Sequence, residues 1–186
     1  MNDSWEKLFE DASTCTACEL CETRTNCVFG AGNREADVLF VGEAPGDNED
    51  KTGIPFVGRA GQLLNTYLAT VDIPRENVYI ANILKCRPPK NRDPRPSEED
   101  ACIEFLNRQI ALIRPKVIVC LGRISAMRLI KPDFKITKEH GQWFLRDGVL
   151  ITAVYHPALL LRDPHKKEGM LEDMKRIREK LDEMEK

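Results

Sequence analysis

Seven cysteines, and a few polar residues set in apolar runs, are the places where this chain could do chemistry. Cys15-Thr16-Ala17-Cys18 is a C-x-x-C pair, Cys86 closes an apolar run, and Cys102 lies early in a helical pattern. Thiolate sulfur is a soft ligand, and four cysteines gathered tetrahedrally hold zinc or an iron–sulfur cluster. A second C-x-x-C pair would have favoured zinc, but Cys86 and Cys102 are far apart in the chain. The Cys15–Cys18 pair does not follow a strand and open a helix, which argues against a thioredoxin-type redox motif. Cys21 and Cys27 compete as ligands, whereas Cys120 sits inside an apolar run and reads as core. An odd cysteine count beside an acidic, polar start (MNDSWEKLFEDA) fits neither a disulfide framework nor an export signal. A reducing, cytoplasmic compartment is expected.

The elements that must position these residues alternate between strands and helices. Val38–Val41, Val78–Leu84, Val117–Leu121 and Val149–Tyr155 are short apolar runs rich in β-branched residues. That pattern predicts strands covered on both faces, as in a parallel sheet. Asp147-Gly148 predicts a hairpin turn that would add Trp143–Arg146 as an antiparallel edge strand. The stripe Leu63, Leu64, Tyr67, Leu68 and Val71 has helical period and predicts a helix over Ala60–Val71. Ser97, with Pro96 before it and Glu98, Glu99 and Asp100 after it, reads as the cap of a helix running to about Ile113. Shorter and longer helices are expected over Ile124–Ile130 and Glu168–Met184. The stripe Met170, Met174, Ile177, Leu181 and Met184 suits packing against the sheet, and it is too short for a coiled-coil seam, so a monomer is expected. The expected organisation is one α/β domain over 1–186, with a Cys-rich preface over 1–35.

In an open parallel sheet, ligands bind beyond the carboxyl ends of the strands. Gly42-Glu43-Ala44-Pro45-Gly46, then Asp47, Glu49 and Asp50, follow the first strand. Asn82 ends the second, Gly122-Arg123 follow the third, and His156-Pro157 follow the fourth. Carboxylates, an amide and an imidazole therefore converge on one edge, where a functional site is expected. The glycines at 42, 46, 53, 58 and 61 invite a phosphate-loop reading, but neither nucleotide-binding glycine motif is present and the loop is acidic. Phe56, in Pro55-Phe56-Val57-Gly58, is a candidate platform on which a planar ligand stacks.

The composition sets bounds. The 186 residues are 42% hydrophobic and 31% charged, as in a folded domain, and 28 basic against 30 acidic residues leave a net charge of −2. A generally cationic nucleic-acid coat protein is excluded, although a local basic patch is not. The longest apolar run, Val149–Tyr155, is far short of the roughly 20 residues that span a bilayer, so no membrane partner is expected. Basic residues do gather in Lys85–Pro96, where Lys85, Arg87, Lys90, Arg92 and Arg95 face only Asp93, and the prolines predict an extended surface loop. Arg162, Lys166 and Lys167 flank Leu159-Leu160-Leu161, and an apolar wedge flanked by cations suits the unstacking of a base step.

Four segments together, GEAPG, GIPFVGRAGQLLN, YIANILKCRPPKNRDP and YHPALLLR, resemble the family 4, iron–sulfur uracil-DNA glycosylases. The resemblance runs from Cys15 to the last helix. It implies a three-layer α/β/α sandwich around a four-stranded parallel sheet. It also implies a [4Fe–4S] cluster on Cys15, Cys18, Cys86 and Cys102, with zinc as the alternative. The implied activity is that of a monofunctional glycosylase of base excision repair. Such an enzyme flips uracil out of double- or single-stranded DNA and hydrolyses its N-glycosidic bond, leaving an abasic site.

Carried over by position, Phe56 stacks on the flipped base, Asn82 accepts from N3–H and donates to O4, and His156 lies at O2. Backbone N–H groups around Glu43, between Gly42 and Ala44, complete the anion site. Lys85, Arg87, Lys90, Arg92, Leu161 and Arg162 meet DNA, with the 156–162 loop entering the minor groove. Ala44 stands where the best-known branch has a water-positioning aspartate, which leaves Glu43, Asp47 and Glu49 as candidates, Glu43 and Glu49 preferred as catalytic carboxylates. The relatives that bond covalently to DNA carry a histidine-containing insertion that CRPPKNRDPRP lacks, so turnover is expected. No lysine falls in the proposed pocket, so no lyase activity is expected. A sliding clamp is a candidate protein partner. The rival reading is a non-catalytic DNA-binding module associated with replication or repair.

Overall fold

The computed structural model describes residues 3–186, so the first two positions of the acidic N-terminal stretch lie outside the described residues. Six strands are β1 (Ala31–Gly32), β2 (Val38–Gly42), β3 (Tyr79–Asn82), β4 (Val117–Leu121), β5 (Trp143–Arg146) and β6 (Val149–Val154). They form one sheet in the order β1-β3-β2-β4-β6-β5. The four inner strands are parallel, and β1 and β5 pair antiparallel at the two edges. The expected parallel quartet is therefore present, widened by two edge strands. The β5–β6 hairpin turns on Asp147 and Gly148, whose φ values of 51° and 81° are those of the two-residue turn that matches strand twist. The β1 edge is a departure from expectation. It is two residues long, with no alternation to reveal it, and it exists because Gly32 lies against Val78, where an added methyl would stand 2.1 Å from the carbonyl oxygen.

Nine helices among the described residues cover the sheet. They are α1 (Trp5–Ser13), α2 (Leu20–Thr23), α3 (Asp47–Thr52), α4 (Arg59–Thr70), α5 (Pro96–Ile113), α6 (Arg123–Leu129), α7 (Ile136–Glu139), α8 (Pro157–Arg162) and α9 (Lys167–Met184). Successive side chains of a strand point to opposite faces. Val38 and Phe40 of β2 accordingly join α4, α8 and α9 in one core, while Leu39 and Val41 join α5 and α6 in the other. Three layers result. The α9 stripe is consumed within the chain, since Met170, Met174, Ile177 and Leu181 are buried against the α4 face.

Several expected boundaries change, and the second strand, expected over Val78–Leu84, is the shorter β3, Tyr79–Asn82. Arg95, not Ser97, caps α5: Pro96 takes the first helical position, where its missing N–H is no loss, and Glu98 accepts the Arg95 N–H at 2.8 Å. The 156–162 segment is not a loop but His156 followed by α8, again opened by a proline. The preface docks through α1, whose Leu8 and Ala12 pack with Phe29, and through Arg108 of α5, which pairs with Asp3 at 2.6 Å and Asp11 at 2.9 Å. No helix among the described residues is long and apolar enough to cross a membrane.

Met174→Ala is expected to lower unfolding free energy by about 2–5 kcal/mol, because the vacated space is closed in by α4 and the sheet. Urea denaturation measures this, and a loss below about 1 kcal/mol would show that the stripe is not core.

Candidate active site

β2 and β3 run in register, so that Gly42 stands opposite Asn82 at their carboxyl ends. Pairing continues past the strands, with Ile83 and Leu84 N–H groups donating to Gly42 and Glu43 carbonyls at 3.0 Å each. Gly42 has to lack a side chain: an added methyl would lie 2.4 Å from Asn82 Oδ1 and 2.6 Å from Phe56 Cζ. The amide of Asn82 and the ring of Phe56 thus meet over one glycine. Asn82 is buried, and its Oδ1 has no hydrogen-bond partner. A buried acceptor without a donor costs about 1–3 kcal/mol, which a bound N–H group recovers.

Phe56 is buried and adopts φ 53°, the left-handed region that aromatic residues seldom occupy. Its ring lies 5.7 Å from that of His156, tilted by 32°. Phe56, Asn82 and His156 therefore lie together at one edge of the sheet. His156 follows β6 and caps α8, its Nδ1 accepting the Ala158 N–H at 3.0 Å. That bond assigns the remaining proton of the neutral ring to Nε2. Although some of its surface stays accessible, protein packs the ring on nearly all sides. Burial, aided by Arg162, pushes its pKa down to about 4, so the ring is neutral at ordinary pH and presents Nε2–H as a donor. Gly122, at φ 95°, lets the β4–α6 turn pass, since a methyl there would stand 2.9 Å from His156 Cβ.

The carboxylates divide by environment. Glu43 is half-buried, and burial together with Asp93 pushes its carboxyl up to about 7, against the pull of Arg123. Glu49, on α3, accepts the Gly58 N–H at 3.4 Å and so braces the loop that carries Phe56. Asp47 is held by Lys51 at 2.6 Å and Arg87 at 3.0 Å. Asp50 is buried and accepts N–H groups of Thr25 and Asn26, tying the preface to α3. Ala44 packs toward the α5-side core.

The basic segment is only partly a surface. Lys85 is a correction: it is 1% exposed, and its Nζ donates to Asn82 O at 3.0 Å and to Gln109 Oε1 at 2.7 Å. The reason is the packing of the segment's first residues under α5, which the run of charges in the sequence does not reveal. Arg87 bonds Asp47 and Asn91, and Arg92 grips Glu98 with both terminal nitrogens. Lys90 is exposed at φ 56°. The three leucines separate: Leu160 is core, Leu159 packs beside it, and Leu161 projects with Arg162 into solvent. Arg75, which hydrogen-bonds the Phe56 backbone, had no sequence signal beyond that of a charged residue in a turn.

Cys15, Cys18, Cys86 and Cys102 line a single cavity, with Cys21 also on its wall and Leu84 and Phe105 among its apolar lining. No cysteine is paired in a disulfide. N–H donors already point at sulfur, from Arg24 Nη1 to Cys86 at 3.2 Å, from the Lys85 backbone to Cys102 at 3.3 Å, and from Ala17 to Cys15 at 3.4 Å. Such donors favour thiolate, while burial pushes the Cys102 thiol up to about 11. Four cysteines on one cavity wall, with N–H donors at Cys15, Cys86 and Cys102, are the donor chemistry of a sulfur-ligated metal group. Among the described residues, no three His, Cys, Asp or Glu side chains are grouped so as to hold a single ion. Cys27 lies off the cavity with its thiol pushed up to about 12 by burial, and Cys120 is buried within β4.

The family model of the uracil DNA glycosylase superfamily matches residues 29–181. A type-4 uracil-DNA glycosylase of Archaeoglobus fulgidus is 44% identical over 185 residues, covering 95% of this chain and 93% of that protein. One from Sulfurisphaera tokodaii is 44% identical over 186 residues (95% and 84%), and one from Thermotoga maritima 47% over 162 residues (85% and 83%). With the slot over Gly42 and the cysteine-lined cavity in place, the chain belongs to the uracil DNA glycosylase superfamily, and within it to the type-4 uracil-DNA glycosylases.

Proposed function

We propose that this protein is a monofunctional uracil-DNA glycosylase that flips uracil from DNA, hydrolyses its N-glycosidic bond and leaves an abasic site. The observation that carries the proposal is the unpartnered Asn82 Oδ1, buried beside the Phe56 ring and the neutral His156. An extruded uracil supplies what the slot lacks: N3–H donates to Oδ1, O4 accepts from the Asn82 NH₂, and the ring stacks on Phe56. Cytosine carries an acceptor at N3 and a donor at N4, so in the same pose both amide groups meet their own kind. As the N1–C1′ bond breaks, charge collects on uracil O2, where a preorganised Nε2–H of His156 stabilises it without a proton transfer. Glu43, ionised above about pH 7, is the preferred carboxylate to stabilise the developing sugar cation or orient the water, and Glu49 is the second candidate. Lys85, the lysine nearest Asn82 in the chain, has its ammonium bonded to Asn82 O and Gln109, which leaves no Schiff-base nucleophile there and favours hydrolysis without strand cleavage. Arg87, Lys90, Arg92, Leu161 and Arg162 are proposed to meet DNA.

Cys15, Cys18, Cys86 and Cys102 would hold a [4Fe–4S] cluster. Bound there, it would tie the preface to the Cys86 loop and α5. Zinc is the alternative occupant of the same four sulfurs.

Three outcomes are expected. Asn82→Ala should reduce uracil release by about 10²- to 10⁴-fold in single-turnover assays on U·G, U·A and single-stranded oligonucleotides, with unchanged circular dichroism. Near-wild-type release would remove Asn82 from the mechanism, and a wild-type protein that binds DNA but frees no uracil would favour the non-catalytic reading. A carboxyl group loses its charge below its pKa, so the wild-type rate should fall about tenfold per pH unit below about 7, and Glu43→Gln should flatten that limb. An acid limb that persists in Glu43→Gln would remove Glu43 from that role. The purified protein should be brown, with broad visible absorbance that bleaches on iron chelation; a colourless protein containing one zinc would refute the cluster.

A further inference from the structure

The loop that presents Phe56 is held in an unfavourable backbone conformation by one residue outside the pocket. Arg75 lies in the short 3-10 turn Arg75–Asn77, between α4 and β3. Its Nη2 donates to Pro55 O at 2.6 Å, and its Nη1 donates to Phe56 O at 2.7 Å and to Asn65 Oδ1 at 2.8 Å. Two successive carbonyls are therefore captured by one planar fork, and Asn65 of α4 braces that fork from behind. On its other side the Phe56 carbonyl lies against Gly61, where an added methyl would stand 1.9 Å from the oxygen. A non-glycine residue at φ 53° persists only where its surroundings over-determine it. Charge-assisted bonds from a rigid guanidinium to two carbonyls are strong enough, and specific enough in direction, to do so.

We infer that Arg75 is a positioning residue for uracil excision, acting through Phe56: its fork locks Pro55 and Phe56 in the conformation that sets the aromatic wall over Gly42. The inference rests on the reading of Phe56 as the stacking wall. Without the fork the backbone relaxes toward ordinary φ values, the ring swings out of register with Asn82 and His156, and a flipped base loses its stacking face.

The test is Arg75→Gln, read by hydrogen exchange over residues 54–61 and by single-turnover uracil release. Exchange in that segment should accelerate about tenfold or more, and release should fall by about 10²-fold, the loss a misplacement near 1 Å can cause. Arg75→Lys, which keeps donors but not the fork, should recover part of the loss. In a Phe56→Ala background, the same Arg75→Gln change should cost no more than about twofold, because the ring it positions is gone. Equal losses in both backgrounds would overturn the inference, as would unchanged exchange over 54–61. If Arg75→Gln does not fold, Asn65→Ala should give the same directions at smaller size, and unchanged exchange in that variant overturns the inference. A wild-type protein that frees no uracil fails the glycosylase reading, while the exchange measurement still decides the clamp.

Discussion

The close approach over Gly42 is the constraint on which the rest of the site depends. Parallel pairing of β2 and β3 puts Gly42 level with Asn82, and the absence of a side chain there lets the Asn82 amide and the Phe56 ring share one small space. Oδ1 is buried there without a hydrogen-bond partner, so it is an acceptor left unsatisfied by the protein itself. In the proposed reading, the base that completes this hydrogen bonding is the one whose edge donates at N3.

Electrostatics in the site come from burial more than from ion pairs. His156 is neutral because it is packed and because Nδ1 is already engaged in capping α8. Glu43 titrates high for the same reason. The more exposed acids nearby are otherwise employed: Asp47 pairs with Arg87 and Lys51, and Glu49 braces Gly58. Lys85 shows how closely the two halves of the site are joined. Its ammonium holds the Asn82 carbonyl, its backbone N–H points at Cys102, and its own carbonyl accepts from Val28 of the preface at 2.7 Å. Burial pulls its pKa down to about 8, and Gln109 shares the cost of keeping it there. One residue thus touches β3, the cysteine cavity and the N-terminal segment.

Much of this was legible in the residue order. Four short apolar runs rich in β-branched residues predicted strands buried on both faces, and the helical stripes between them predicted the helices that cover such a sheet. Once those elements were placed, the rule that ligands sit beyond the carboxyl ends of parallel strands brought Gly42, Asn82 and His156 to one edge. The Asp147-Gly148 turn was legible because its local chemistry dictates its conformation. The two-residue β1, the Arg95 cap and α8 were not, because each is set by a neighbour: Val78 against Gly32, Glu98 reaching back to Arg95, and His156 capping a proline-initiated turn.

The sequence by itself determined the alternation of strands and helices in one α/β domain and the edge on which the polar residues meet, since these follow from periodicity and residue type; the three layers and the choice of four sulfur ligands among the cysteines were implied by the family resemblance. Tertiary structure alone decided which charges are free. It buried Lys85 beneath α5, gave Arg92 to Glu98, and split three adjacent leucines between core and solvent. It also set Arg75 behind Phe56, across a span of chain with no local pattern linking the two. The physical reason is that hydrophobic periodicity is a local property of the chain. A hydrogen bond between a side chain and a distant carbonyl exists only after the backbone has folded, and nothing in the order of residues marks either partner in advance.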